Sequence, residues 1–201
     1  MRRSIRFTYV LAHLIASVFA TILILNTADA QQFGRFIGEI HTKWLPDGRN
    51  METLTDFEYI DPDNQSWRVP KGTQTDGASV PRAFFILYAP FTGVYRDSAL
   101  VHDHYCRIRT RTWQETHDMF YYGLRARGLG EHDSLVMWGA VYLFGPRWDA
   151  KGNRSPSLRA QETASDSEQL DEIKSIDAWV KANNPTKDDL ERAIFTGAYR
   201  Q

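Results

Sequence analysis

The chain has 201 residues, and 24 Lys and Arg stand against 25 Asp and Glu, a formal net charge of −1 with no basic block. That balance argues against nucleic acid as a partner. A single cysteine, Cys106, excludes an intrachain disulfide, so the fold must rest on packing or on a bound ion.

The first thirty residues read as a targeting segment. Arg2, Arg3 and Arg6 form a basic start, Phe7 to Leu25 is an apolar run, and Ala28-Asp29-Ala30 is a small-x-small cleavage signal. This pattern predicts a signal peptide over residues 1–30, cleaved after Ala30, and a periplasmic or secreted protein. The apolar run also approaches the roughly 20 residues that span a bilayer, so an uncleaved anchor in the inner membrane is the alternative. Removing the segment takes away three Arg and one Asp and moves the charge from −1 to −3. What remains is enough for one core-forming domain with a helical appendage.

Strand signals dominate from Phe33 to Pro70. "FGRFIGEI" is rich in aromatic and β-branched residues, and a Pro-Asp-Gly turn precedes the alternating series Met51, Thr53, Thr55, Phe57 and Tyr59. "DPDNQ" makes another turn before "SWRVP", where Pro70 ends the strand or marks an edge. Three antiparallel strands are expected. "KGTQTDGASVP" then reads as loop, with Asp76-Gly77 offering a tight turn and a carboxylate.

Three helices follow. The first runs from Asp97, as N-cap, to Arg107 and is apolar on more than one side. The second opens on a Thr112/Glu115 capping box and runs to about Gly128, with Trp113, His117, Phe120 and Leu124 as its inward stripe. The third spans Asp133 to Phe144 and stops at Gly145-Pro146. A polar linker over residues 148–167 then leads to two amphipathic helices, Glu168 to Ala182 and, capped by Thr186, Lys187 to Phe195, forming a C-terminal hairpin over residues 168–201. The fold class is therefore α+β: a small antiparallel sheet, a three-helix core, both within residues 31–147, and an appended hairpin that packs on the domain or on a partner.

The chemistry concentrates in a repeated dipeptide, His102-Asp103 and His117-Asp118. At about 100° per residue, His102, Asp103 and Cys106 share a face of the first helix while His104 turns away. His117 lies in the apolar stripe of the second helix and Asp118 at its margin. An antiparallel pairing of the two helices brings both imidazoles into one groove, with Asp103 close by. Two mechanisms suit the set. In one, a His acts as general base, a carboxylate from the neighbouring helix fixes its tautomer, and a calcium-like ion held by Asp103, by loop oxygens near Asp76 to Ser79, or by both stabilises an oxyanion. In the other, His102, His117 and one carboxylate hold Zn²⁺ with a position open to water. Cys106 reads as a small buried helix residue, although a nucleophile one turn after His102 is the sharper alternative. Arg107, Arg109 and Arg111 read as a solvated cationic turn; an anionic head group or peptide carboxylate is the alternative ligand.

The segments "VPKGTQTDGASVPR", "ALVHDHYC", "HDMFYYGLRARGL" and "WGAVYLFG" resemble a family of bacterial and phage proteins of unknown function. The resemblance implies a shared domain and no established activity. The family pattern carries an Asp where this chain has His117, with the acid displaced to Asp118, which points to a two-histidine site here. A fainter similarity is to secreted bacterial phospholipases A2, which implies His102 as base, Asp103 as calcium ligand and Asp118 as the orienting carboxylate; Cys106 follows the His-Asp pair instead of preceding it.

Two functions are expected to compete. The first is an exported hydrolase, assisted by a divalent metal and acting on an ester or amide of the envelope. Its catalytic residues are His102, Asp103, His117 and Asp118, and Asp76, His102, Asp103 and His117 are its metal ligands. The second is a non-catalytic envelope or phage-derived module in which the cluster locks helices together. In either case the partner is an envelope lipid, peptidoglycan or a protein, met through the C-terminal hairpin.

Overall fold

A computed structural model describes residues 32–48, 50–75, 94–154 and 164–201. The expected Asp76 loop and the targeting segment lie outside them. Six short strands form two antiparallel sheets of three: β1 (Arg35–Ile37), β4 (Phe57–Ile60) and β5 (Ser66–Val69) in the order β1-β4-β5, and β2 (Thr42–Trp44), β3 (Met51–Thr53) and β6 (Gln74–Thr75) in the order β2-β3-β6.

The expected three strands thus become six, and the reason is local. The alternation from Met51 to Tyr59 is interrupted at Leu54–Asp56, where Asp56 accepts a hydrogen bond from the Lys71 amide and pairs with Arg68. That corner sends β3 and β4 into different sheets. Pro70 ends β5 as expected, but its carbonyl accepts the hydroxyls of Thr53 and Thr73. The chain thereby turns back, and residues that composition assigned to loop pair as β6 with β3.

In the first sheet the period of two points Phe57, Tyr59, Trp67 and Val69 inward, with Phe57 opposite Val69 and Tyr59 opposite Trp67. These side chains pack on Leu100, Val101, Tyr105 and Met119 of the first two helices. The Tyr105 hydroxyl accepts the Arg68 amide at 3.0 Å, fixing helix to sheet.

The helices are α1 (Arg96–Ile108), α2 (Trp113–Ala126), α3 (Glu131–Phe144), α4 (Asp166–Asn183) and α5 (Lys187–Thr196). Asp97 is not the N-cap of α1; Tyr95 holds that position without a side-chain bond, and Asp97 pairs with Arg127 inside the first turn. The Thr112/Glu115 capping box forms as read, and equivalent boxes, Ser165/Glu168 and Thr186/Asp189, open α4 and α5. Each satisfies amides that the first turn leaves without intrahelical partners.

The α1–α2 pair lies between two cores. Sheet residues cover one side, and Phe120, Leu124, Trp138, Val141, Ile173, Ile176 and Leu190 form the other. The C-terminal hairpin belongs to this second core, packed on α3. At Gly139 an added Cβ would come within 3.2 Å of Ile176 and 3.5 Å of Leu190, so the missing side chain sets how closely the hairpin docks. Before the hairpin, Trp148 is buried, bridges to Arg154 and donates its indole N–H to the Arg111 carbonyl at 2.8 Å. Among the described residues, no helix is long and apolar enough to cross a membrane.

Candidate functional site

α1 and α2 meet through two histidines. His102 Nε2 lies 2.8 Å from His117 Nδ1, and both side chains are fully buried. One turn beyond His102 on α1, the Cys106 thiol sits 3.6 Å from His102 Nε2 and 3.8 Å from its Nδ1. One ligand atom from each of these three residues lies within 4.8 Å of the others.

The electrostatics follow from burial. Desolvation pushes His102 down to about 3 from its ordinary 6.5. The same desolvation holds His117 well below its usual range, helped by the neighbouring His102 and by the Arg147 charge. Two neutral rings can share one N–H···N bond, whereas two imidazolium ions would present only donors to each other. Around them, Phe120 packs on His102 with ring centroids 5.2 Å apart, and Trp113 meets His117 edge-on at 5.4 Å. The Arg147 guanidinium lies 4.4 Å over the Trp113 ring.

The second nitrogen of His117 faces the end of α3. A Cβ at Gly145 would fall 3.1 Å from His117 Nε2 and 2.4 Å from the Val141 carbonyl, so only glycine fits between ring and helix end. The Pro146 carbonyl lies close enough to favour a proton on His117 but falls short of full hydrogen-bond geometry, leaving Nε2 buried without a bonded partner.

The two carboxylates of the repeated dipeptide go elsewhere. Asp103, 5 % exposed, turns towards the second sheet, where the Thr75 hydroxyl at the end of β6 donates to its Oδ2. Asp118 Oδ1 accepts the Trp138 indole N–H and the Lys187 ammonium, each at 3.1 Å, and bonds to neither imidazole. Burial raises the Asp118 pKa, and Lys187 opposes that shift. Of the expected site residues, then, His102 and His117 come together, Asp103 follows His102 in sequence while anchoring on β6, Asp118 links α2 to α5, and Asp76 is outside the described residues. His104 turns away from the pair, half-buried against Tyr105, as the helical rotation requires.

Cys106 is the member that sequence reasoning undervalued. Its signal was the spacing of four from His102, which places two donor side chains on one helix face. Arg109 and Arg111 are not free cations: Arg109 donates to the carbonyls of Cys106 and Gly152, and Arg111 donates to Gln65 and Ser66 while stacking on Trp67.

A small α+β domain with a buried His/Cys group between its first two helices is thus defined. Residues 51–141 match the family described as "Protein of unknown function (DUF1353)". Two proteins of Sinorhizobium fredii are similar to the chain. The uncharacterized protein y4jT is 42% identical over 113 residues, 56% of this chain and 34% of that protein. The uncharacterized protein y4iH is 43% identical over 98 residues, 46% of this chain and 39% of that protein. The chain therefore spans little more than a third of the length of these relatives. No solved structure matches.

Proposed function

We propose that the protein is an exported, metal-assisted hydrolase acting on an ester or amide bond of the cell envelope. The observation that supports this is the meeting of two buried, neutral imidazoles from different helices, His102 and His117, 2.8 Å apart. Rings kept neutral at pH 7 retain a lone pair for a proton or an ion. A divalent ion, Ca²⁺ or Zn²⁺, would supply Lewis acidity and a water of lowered pKa. In this reading His102 is base or ligand and His117 the second imidazole. Asp103, held by Thr75, and Asp76, the residue after Thr75, are the orienting or ion-binding carboxylates. Export rests on the basic and apolar character of residues 1–30 and gives a periplasmic or secreted location. Contact with envelope lipid, peptidoglycan or a protein falls to the C-terminal hairpin, where Phe195 is 91% exposed.

The test is turnover of a panel of short-chain esters, phospholipids and peptide amides by the full chain, with and without chelator. Loss of a general base costs about 10²–10⁴-fold. His102→Ala and Asp103→Asn should each lower the rate by at least about 100-fold with circular dichroism unchanged. Full activity in both variants sinks the reading.

A second reading, a non-catalytic envelope or phage-derived module, is favoured by one specific feature: the two imidazoles are joined to each other by a hydrogen bond inside the core. It expects His102→Ala to lower stability by about 1–3 kcal/mol and chelator to leave the melting curve unchanged.

A further inference from the structure

The group between α1 and α2 contains a donor that the hydrolase reading does not use, and it decides which ion the site would take. We propose that His102 Nε2, Cys106 Sγ and His117 Nδ1 form a three-ligand site for a borderline-soft divalent ion of the Zn²⁺ class, with the fourth position left to water. This deepens the metal-assisted reading by naming the ion class and ligand set, and it stands or falls separately from hydrolysis.

Four observations carry it. The donors are two imidazoles and a thiol, a set that selects Zn²⁺ and its neighbours over Ca²⁺, which requires six to eight oxygens. No carboxylate of the described residues enters the group, since Asp103 is turned to Thr75 and Asp118 to Trp138 and Lys187.

Two of the three donor spacings are near those of a tetrahedral site, and one donor atom of each residue lies within 4.8 Å of the others. Usual Zn–N and Zn–S lengths separate N from S by roughly 3.5 Å and two N atoms by roughly 3.4 Å. Cys106 Sγ is 3.6 Å from His102 Nε2, and the imidazole nitrogens, now 2.8 Å apart across a hydrogen bond, need open by roughly 0.6 Å to admit an ion.

Three protein donors are the count of sites that keep a position open. Finally, the far nitrogen of His117 is buried and aimed at the Gly145-Pro146 backbone. A metal-bound imidazole donates its other N–H to a carbonyl or carboxylate. With Nδ1 on an ion, His117 must carry its proton on Nε2, and the Pro146 carbonyl becomes its acceptor. Gly145 is then a positioning residue, because a side chain there would push the ring off this line.

The experiment is titration of the full-length chain, reduced and chelator-treated, with Co²⁺ as a spectroscopic probe and with Zn²⁺ in competition. One Co²⁺ per chain is expected, with a sulfur-to-cobalt charge-transfer band in the near ultraviolet that Zn²⁺ abolishes and Ca²⁺ does not. Cys106→Ser should lose the band, and His117→Ala should lose stoichiometric binding. Gly145→Ala should keep the band and bind about 10–100-fold more weakly. Circular dichroism of each variant separates lost ligation from lost fold, and Gly145→Ala tests ligand orientation with all three donors intact. An unmodified chain that takes up no Co²⁺ or Zn²⁺, or a charge-transfer band that survives Cys106→Ser, overturns the proposal. Stoichiometric Zn²⁺ without turnover would leave this site standing and remove the hydrolase, whereas turnover by a chain that takes up neither Co²⁺ nor Zn²⁺ would overturn this site and leave the hydrolysis.

Discussion

The two His-Asp dipeptides carry identical residues and meet opposite surroundings. In both, the histidine points into the seam between α1 and α2, and the pair closes on itself. The next residue is rotated by about 100° on each helix, so Asp103 leaves the seam towards β6 and Asp118 leaves it towards α3 and α5. On these two helices the adjacent residues of each dipeptide face different neighbours. A repeated motif therefore marks a shared interface for its first member and two unrelated ones for its second.

That contrast can be broken most strongly with acid. Both histidines have folded-state pKa values depressed by burial, while in the unfolded chain they titrate near 6.5. Below that value the unfolded state binds the extra protons, so stability is lost as pH falls, down to the folded value near 3 for His102. Two such groups should remove about 4 kcal/mol between pH 7 and pH 5, read by urea unfolding at each pH. His117→Ala should remove about half of that pH dependence.

A smaller effect is expected at Asp118. Its loss leaves Lys187, only 11% exposed, beside the Trp138 face without its closest acid. Asp118→Ala should destabilise the fold by about 1–2 kcal/mol while leaving metal uptake and turnover unchanged. The smallest falls on Asp103→Asn, which keeps the shape and weakens the hydrogen bond from Thr75, for about 1 kcal/mol of stability from that bond. The comparison sharpens if Asp103→Asn nonetheless changes turnover more than Asp118→Ala does, and collapses if the order is reversed.

Local signals carried much of this fold. The Thr112/Glu115 box, the stripe through His117 and Phe120, and the Gly145-Pro146 stop are written within a few residues of where they act. Pairing of His102 with His117 was readable because both lie on inward faces of helices joined by a short turn. What escaped depends on partners distant in sequence. The corner at Asp56 is held by Lys71, the strand at Gln74–Thr75 exists because β3 is there to pair with it, and Asp118 finds its cation 69 residues later. Cys106 was in plain view four residues after His102, and only the arrival of a second imidazole gives its sulfur a role.

The docking of the C-terminal hairpin at Gly139 bears on how this protein can be cut. The family match ends at Val141, yet Ile173, Ile176 and Leu190 beyond it complete the core around Trp138, and Arg35–Ile37 before it supplies an edge of the first sheet. A fragment trimmed to residues 51–141 would expose that apolar seam and strip β1 and β2, one edge strand from each sheet, so a boundary of shared ancestry here is not a boundary of autonomous folding.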